Sequence, residues 1–406
     1  MSRYELSRPR TAVLAGAIFV EALGYGAIFG LIADIQDEYH FGNSALSFIA
    51  SAAFPAALVG QLGLARFGDR GHTRRLLWIG LVTAAVGMVW FWLGTDLWEF
   101  VVARALVGLG SGTFIPAARR AMLMRDPDNP GEAVALAGVA DIGGFLAGVP
   151  IAAGLKFVGE QLNVDRPIHF PFIVIAVLLA IVGPLASSIP EPPVSSEQHD
   201  AIRAVLRIPM ARAGLAIAVG FSVTIGTLDA IAARYITDLG ATDKVRALVL
   251  VALAVPLILF MPVAGRLVDR FGHIQCGVVA LLVTAVVLFS YSAAHSIAFV
   301  AVLGTTQAMA NSVVYTAGQA AVATATSSVG LTSSGQGAYE ATSAIGGFTC
   351  AFIAPLLYSV DNTLPMWAVM SALTATAAVI AITQLRVAQS RQMALISEPH
   401  STEIMR

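Results

Sequence analysis

Five ionisable residues interrupt long apolar stretches of this chain: Glu21, Arg104, Asp141, Asp229 and Glu340. A charge within a bilayer-length apolar segment costs roughly 3 kcal/mol on insertion scales, so it normally faces a partner or a water-filled cavity. Glu21 is followed on the same helical face by Tyr25, with Gly24 and Gly26 thinning the helix beside it. Its carboxyl either gains and loses a proton as a cavity changes sides, or stays hydrogen-bonded in helix packing. Arg104 precedes Gly108, Gly110 and Gly112. An arginine does not titrate usefully, so its chemistry would be to favour the ionised form of a nearby carboxyl. Otherwise it snorkels to the outer interface. Asp141 carries Gly144 and Gly148 at i+3 and i+7, small residues that admit a second helix and turn Asp141 towards protein.

In the second half, no Lys or Arg occurs between Arg270 and Arg386. Glu340 is therefore neutral, hydrogen-bonded, or waiting for a cation from elsewhere. Together with Asp229 it is expected to recognise cationic groups. Gln307, Asn311 and Tyr315, spaced by four, make one polar stripe. The stripe either binds hydroxyl, amide or ammonium groups of a small molecule, or hydrogen-bonds a neighbouring helix. Tyr25 is the aromatic expected beside a ligand, with Phe29, Phe54, Phe145 and Phe221 as apolar company. No His/Cys/Asp cluster has metal-ligand spacing. Gly108-x-Gly110 lies inside an apolar run and not after a strand, so no cofactor or nucleotide is expected.

These residues need apolar helices to hold them. With 57% apolar residues, 12% charged residues and a mean hydropathy of +0.78, the chain has too few charges to cover a soluble surface. The pattern predicts an all-α integral membrane protein with twelve spans: 11–33, 44–65, 76–95, 98–121, 132–155, 169–189, 211–235, 245–265, 275–294, 297–323, 335–359 and 364–385. The units are 1–189 and 211–386, each of six helices, joined by a linker at 190–210 and followed by a tail at 387–406. The linker reads as an extended stretch leading into a short amphipathic helix at the membrane surface. Basic residues collect on one set of connections (Arg66, Arg70, Arg74, Arg75, Arg119, Arg120, Arg266 and Arg270 among them). The positive-inside rule then puts both termini and the linker in the cytoplasm. A net charge of −1 gives no hint of nucleic-acid binding, and the two cysteines, Cys276 and Cys350, lack disulfide spacing.

The halves repeat. Asp69-Arg70 recurs as Asp269-Arg270 at an offset of 269 − 69 = 200. Ile142-Gly143-Gly144-Phe145 recurs as Ile345-Gly346-Gly347-Phe348 at an offset of 345 − 142 = 203. Duplicated halves are expected of a secondary transporter. Gly265-x-x-x-Asp269-Arg270-x-Gly272 resembles the loop signature that the major facilitator superfamily carries between helices 2 and 3 and again between helices 8 and 9. The first copy, with Asp69, Arg70, Gly71, Arg74 and Arg75, has Ala65 in place of the leading glycine, and its second glycine falls one place early.

The resemblance implies two six-helix bundles and a cytoplasmic latch. The latch would be built from Asp69, Arg70, Arg74, Arg119 and Arg120 in one copy and Gly265, Asp269, Arg270 and Gly272 in the other. In the family the loop Asp lies near the N-terminus of a partner helix and basic residues, so in the first copy Asp69 would accept from free helix N–H groups and face Arg119 and Arg120; in the second, the matching positions are Gln319 and Ala320. Arg104 followed by glycines is similar to the helix-4 motif of proton-coupled facilitators. Gly144-x-x-x-Gly148-Val149-Pro150 resembles the helix-5 motif of drug–proton antiporters, with Val149 inserted before the proline. The resulting expectation is not an enzyme but a proton-driven exporter of lipophilic or cationic small molecules. Glu21, Arg104 and Asp141 would couple protons in it, acting as a monomer in the cell (inner) membrane. The alternatives are a proton symporter importing a small organic solute, a lipid flippase, or a non-transporting receptor.

Overall fold

The computed structural model describes residues 8–41, 45, 48–49, 51–125, 129–192, 194 and 201–397. Among these, the side chains at 33, 229, 233, 243–244, 246–248, 251–254 and 391–397 lie outside the description. The described residues form helices and no strand. In the first half α1 is Arg8–Glu38, α2 covers 53–67, α3 Thr73–Leu93, α4 Leu97–Leu123, α5 Pro130–Gln161 and α6 Phe170–Ser187. In the second, α7 is Pro209–Asp238, α8 Asp243–Phe271, α9 His273–Ser290, α10 Ile297–Ser327, α11 Thr332–Leu357 and α12 Leu364–Ser397. Ten helices among the described residues are long and apolar enough to cross a membrane. One of them, Ala53–Leu93, joins α2 and α3 through a kink. The kink falls at Arg70 and Gly71, where Gly71 takes a φ of +80° that a side chain would resist. Its counterpart between α8 and α9 is Gly272, at φ +96°. Each loop thus turns on a left-handed glycine, and the turns are one register place apart. Large apolar side chains such as Leu259, Val286, Phe352 and Leu356 point outwards, as expected where lipid replaces water.

Small residues set how closely the helices approach. Gly144 of α5 faces α1, where a Cβ on it would lie 3.0 Å from the Ala22 Cβ. Gly226 of α7 meets the Gly347 backbone of α11, with a Cβ 3.0 Å from its Cα. The second echo of the repeat therefore marks the same close crossing, α1 with α5 and α7 with α11. Around these crossings the first half packs Phe91, Phe100, Phe114 and Phe172. The second stacks Trp367 on Tyr291 at 4.7 Å. The halves meet where α5 lies against α8 and α10, and where α11 lies against α2 and α4. The short helix Ala201–Arg207, expected at the membrane surface, buries Ala201 and Val205 against a cluster that includes Leu215 and Tyr339.

Candidate functional site

Where the halves meet, α4 delivers Arg119 into the interior with 1% of its surface exposed. Its guanidinium pairs with Asp141 of α5 at 2.9 Å, with Glu340 of α11, and with the Tyr315 hydroxyl of α10 at 2.8 Å. Glu340 also accepts from Gln319 Nε2 at 3.2 Å, and Gln336 Nε2 donates to the Gln319 carbonyl at 3.2 Å. The side chains of Glu340 and Asp141 keep 22% and 32% of their surface exposed, so the group borders a space and is not sealed. Arg119 thereby answers what Glu340 lacks in its own half: the cation comes from the other half.

This corrects the grouping of Arg119 with the loop charges. Successive helix residues point about 100° apart, so Arg119 and Arg120 cannot face the same way. Only Arg120 turns to the loop, its Nε 3.3 Å from Asp69 and one terminal nitrogen donating to Thr73 Oγ1 at 2.8 Å. Likewise Gln319, matched to Arg119 by the 200-residue offset, turns to Glu340 and not to Asp269.

A second group lies in the first half. Glu21 is 3% exposed, and its Oε1 has no hydrogen-bond partner. Asp141, Arg104 and Arg119 are the charges in its field. Ser111 of α4 faces both Glu21 and Tyr25. Arg104 is 9% exposed and lies 4.4 Å over the Tyr25 ring, with Nε and one terminal nitrogen unpartnered. It is thus buried against α1 and does not snorkel outwards. On α10, Gln307 and Asn311 are 1% and 3% exposed; neither amide atom of Gln307 nor the Asn311 Oδ1 has a partner. They continue the face of Tyr315, one and two turns away from Arg119. Asp229 lies on α7, and its side chain is outside the described residues.

At the loop end, Asp69 crosses to the other half and caps α11. Its carboxylate accepts from Ser333 N at 2.8 Å, Ser334 N at 2.9 Å and Ser334 Oγ at 2.6 Å. Asp269 does the same for α5, accepting from Gly131 N at 2.8 Å and Glu132 N at 3.0 Å, with His273 Nε2 at 3.6 Å. Each aspartate satisfies orphan helix N–H groups and meets the positive end of a helix dipole. Glycines admit the contact: a Cβ on Gly265 would stand 2.8 Å from the Gly131 carbonyl oxygen. In the other pair the roles are exchanged, Gly337 of α11 facing Ala65 and Gln61 of α2. The alanine that replaces the leading glycine of the first copy is thus met by a glycine opposite.

The remaining loop residues sit nearby. Arg70 lies over the Phe67 ring at 5.8 Å and Arg270 over Phe271 at 5.2 Å. Arg74 Nε donates to the Ser187 carbonyl at 2.9 Å. Sequence reasoning did not single out Ser333 and Ser334 as the partners of Asp69. The signal, a Ser-Ser pair opening a helix, is a common N-terminal pattern and does not say which carboxylate arrives from outside.

The sequence matches the family described as Major Facilitator Superfamily over residues 14–242 and again over 213–398. Two curated relatives come from Bacillus subtilis (strain 168). The uncharacterized MFS-type transporter YwoD is 25% identical over 172 residues, 42% of this chain and 37% of that protein. Multidrug resistance protein 2 is 26% identical over 105 residues, 26% of each chain. This chain therefore spans about a third of the one and a quarter of the other. Among solved structures, an MFS transporter, FucP, in the outward conformation superposes with a TM-score of 0.76 at 16% identity, covering 92% of this chain and 98% of that one.

Proposed function

From the fact that this chain belongs to the Major Facilitator Superfamily and has the fold of its transporters, we propose that it is a proton-driven antiporter. It exports lipophilic or cationic small molecules by alternating access through twelve spans, with both termini and the paired loops in the cytoplasm of the cell membrane. The observation that carries this reading is the interior charge balance. Among the described side chains of this interior group, Glu21, Asp141 and Glu340 set three carboxyls against two arginines, Arg104 and Arg119. Uncompensated charge away from water is costly, so the closed arrangement is neutral when one carboxyl holds a proton. Asp141 and Glu340 bind Arg119, whereas Glu21 has the unpartnered oxygen; Glu21 is the proton's place.

Opening the loop end changes this balance. Arg119 and Asp141 belong to the same half and stay together, while Glu340 departs with the other half and is left without its cation. Glu21, Asp141, Arg104 and Arg119 are neutral together once the proton leaves. Glu340 is neutralised by a cationic substrate, its hydrogen-bonding groups held by Gln307 and Asn311. Reclosure returns Arg119 to Glu340 and displaces the substrate to the other side, and Glu21 is reprotonated there. Proton and substrate cation thus alternate. Uptake of a compound panel into inverted proteoliposomes, under an imposed pH gradient, tests this. Cationic compounds are expected to accumulate against the proton gradient. Co-movement of solute with protons would establish the symporter instead, and lipid movement the flippase. No flux of any kind would leave the receptor.

A further inference from the structure

Beside the loop latch, but separate from it, a cavity of about 600 Å³ opens between the start of α3 and the end of α6. Its wall carries His72, Arg74, Arg75, Trp78, Ile79 and Glu191. Arg75 is exposed and forms no ion pair among the described residues. Arg74 is fixed at the rim by its bond to Ser187, and the buried Nδ1 of His72 has no partner. Glu191 brings an opposing charge, but both its oxygens are engaged by the first N–H groups of α3. Thr73 N lies at 2.6 Å and Arg74 N at 3.1 Å, where the helix dipole answers the carboxylate. One helical turn further on, Trp78 and Ile79 turn large apolar surfaces outwards, 48% and 45% exposed. Four residues of helix advance about 6 Å, roughly the step from headgroup to acyl chain.

We propose that this cavity is a binding site for the phosphodiester headgroup of an anionic phospholipid. Arg74 and Arg75 would take the phosphate, and Trp78 and Ile79 the upper acyl chain. Guanidinium matches phosphate in charge and in fork geometry, and basic pockets between spans at a membrane surface are recurrent lipid sites. A free phosphate would use the arginines but leave the apolar step without a purpose. The repeat supplies an internal comparison. Two hundred residues on stand Ile274, Gln275, Val278 and Val279, so neither arginine of the pair, nor the tryptophan, has a counterpart at the matching positions of α9.

Native mass spectrometry of the full chain, titrated with phosphatidylglycerol or phosphatidylcholine, tests the site. Phosphatidylglycerol is expected to be retained preferentially. Arg75→Gln should reduce that preference about fivefold, from roughly one surface-charge interaction, and leave phosphatidylcholine unchanged. Arg266→Gln removes the same charge from the matching end of the second half and should leave lipid retention unchanged. Equal retention of both lipids, or equal loss in the two variants, would overturn the proposal. Displacement by inorganic phosphate at matched concentration would show a free-anion site instead. Phosphatidylglycerol with brominated chains gives a second reading that needs no arginine variant. It should quench the fluorescence that Trp78→Phe removes, and unquenched Trp78 would also overturn the assignment.

Discussion

Replacing Asp69 by Asn tests the latch most directly, because Asp269→Asn in the same molecule is its control. Asp69 makes three cross-half bonds, all buried, to Ser333 N, Ser334 N and Ser334 Oγ. Asp269 makes two, to Gly131 N and to Glu132 N, the latter at an exposed residue. A bond to a charged acceptor contributes about 1 kcal/mol more than one to a neutral acceptor when buried, and less where water competes. The neutral amide therefore weakens the Asp69 latch by about 3 kcal/mol and the Asp269 latch by about 1 kcal/mol. Arg120 adds to the asymmetry: it lies in the same half as Asp69, so it holds the carboxylate in place without crossing the interface. In population terms the closed-to-open ratio falls about a hundredfold for Asp69→Asn and about fivefold for Asp269→Asn. Spin-label distances across the loop end, or cysteine accessibility there, read this ratio. An equal shift in the two variants, or a larger one for Asp269→Asn, would refute the reasoning that charge-assisted cross-half bonds govern closure.

Further outcomes follow from the interior charges. Glu21→Gln should abolish pH-driven transport while keeping substrate binding, since the amide imitates the protonated acid; undiminished gradient-driven flux would remove Glu21 from the mechanism. Glu340→Gln should weaken binding of cationic compounds at least tenfold more than neutral compounds of similar size, and equal loss in a binding assay would indicate a structural role. Arg119→Met leaves Asp141 and Glu340 without their cation and should lower stability by about 3 kcal/mol. Adding Glu340→Gln should restore part of the melting temperature, and no recovery in the double variant would deny the pairing. At the interface, Gly131→Ala places a Cβ 2.6 Å from Asp269 Oδ1 and 2.7 Å from the Gly265 carbonyl oxygen. It should open the loop end in the same distance measurement.

The membrane class, the helical content and the duplication were legible in sequence, because each rests on a local or periodic property. Apolar run length reports what a helix can bury in lipid, and two echoes near one offset report a duplicated chain. Asp141 was expected to face protein because its glycines share its helical face, and its pairing with Arg119 fits that expectation. The loop aspartates were legible as a pair because both copies keep the Asp-Arg text. Their partners were not. Ser333 is 264 residues from Asp69, and Gly131 is 138 from Asp269, so nothing in either neighbourhood encodes the meeting. The same limit decided Arg119 and Arg120. As text they are one basic dipeptide at a helix end, but the helical turn sends one to the loop and the other to the interior. Glu340 shows the limit most sharply. Its own half contains no Lys or Arg between Arg270 and Arg386, which left three readings open. Packing α11 against α4 brought a cation from 221 residues away. Sequence determined which charges had to be answered, because the penalty for burying them is local; tertiary structure decided which residue answered each, because that depends on how the two halves are set together.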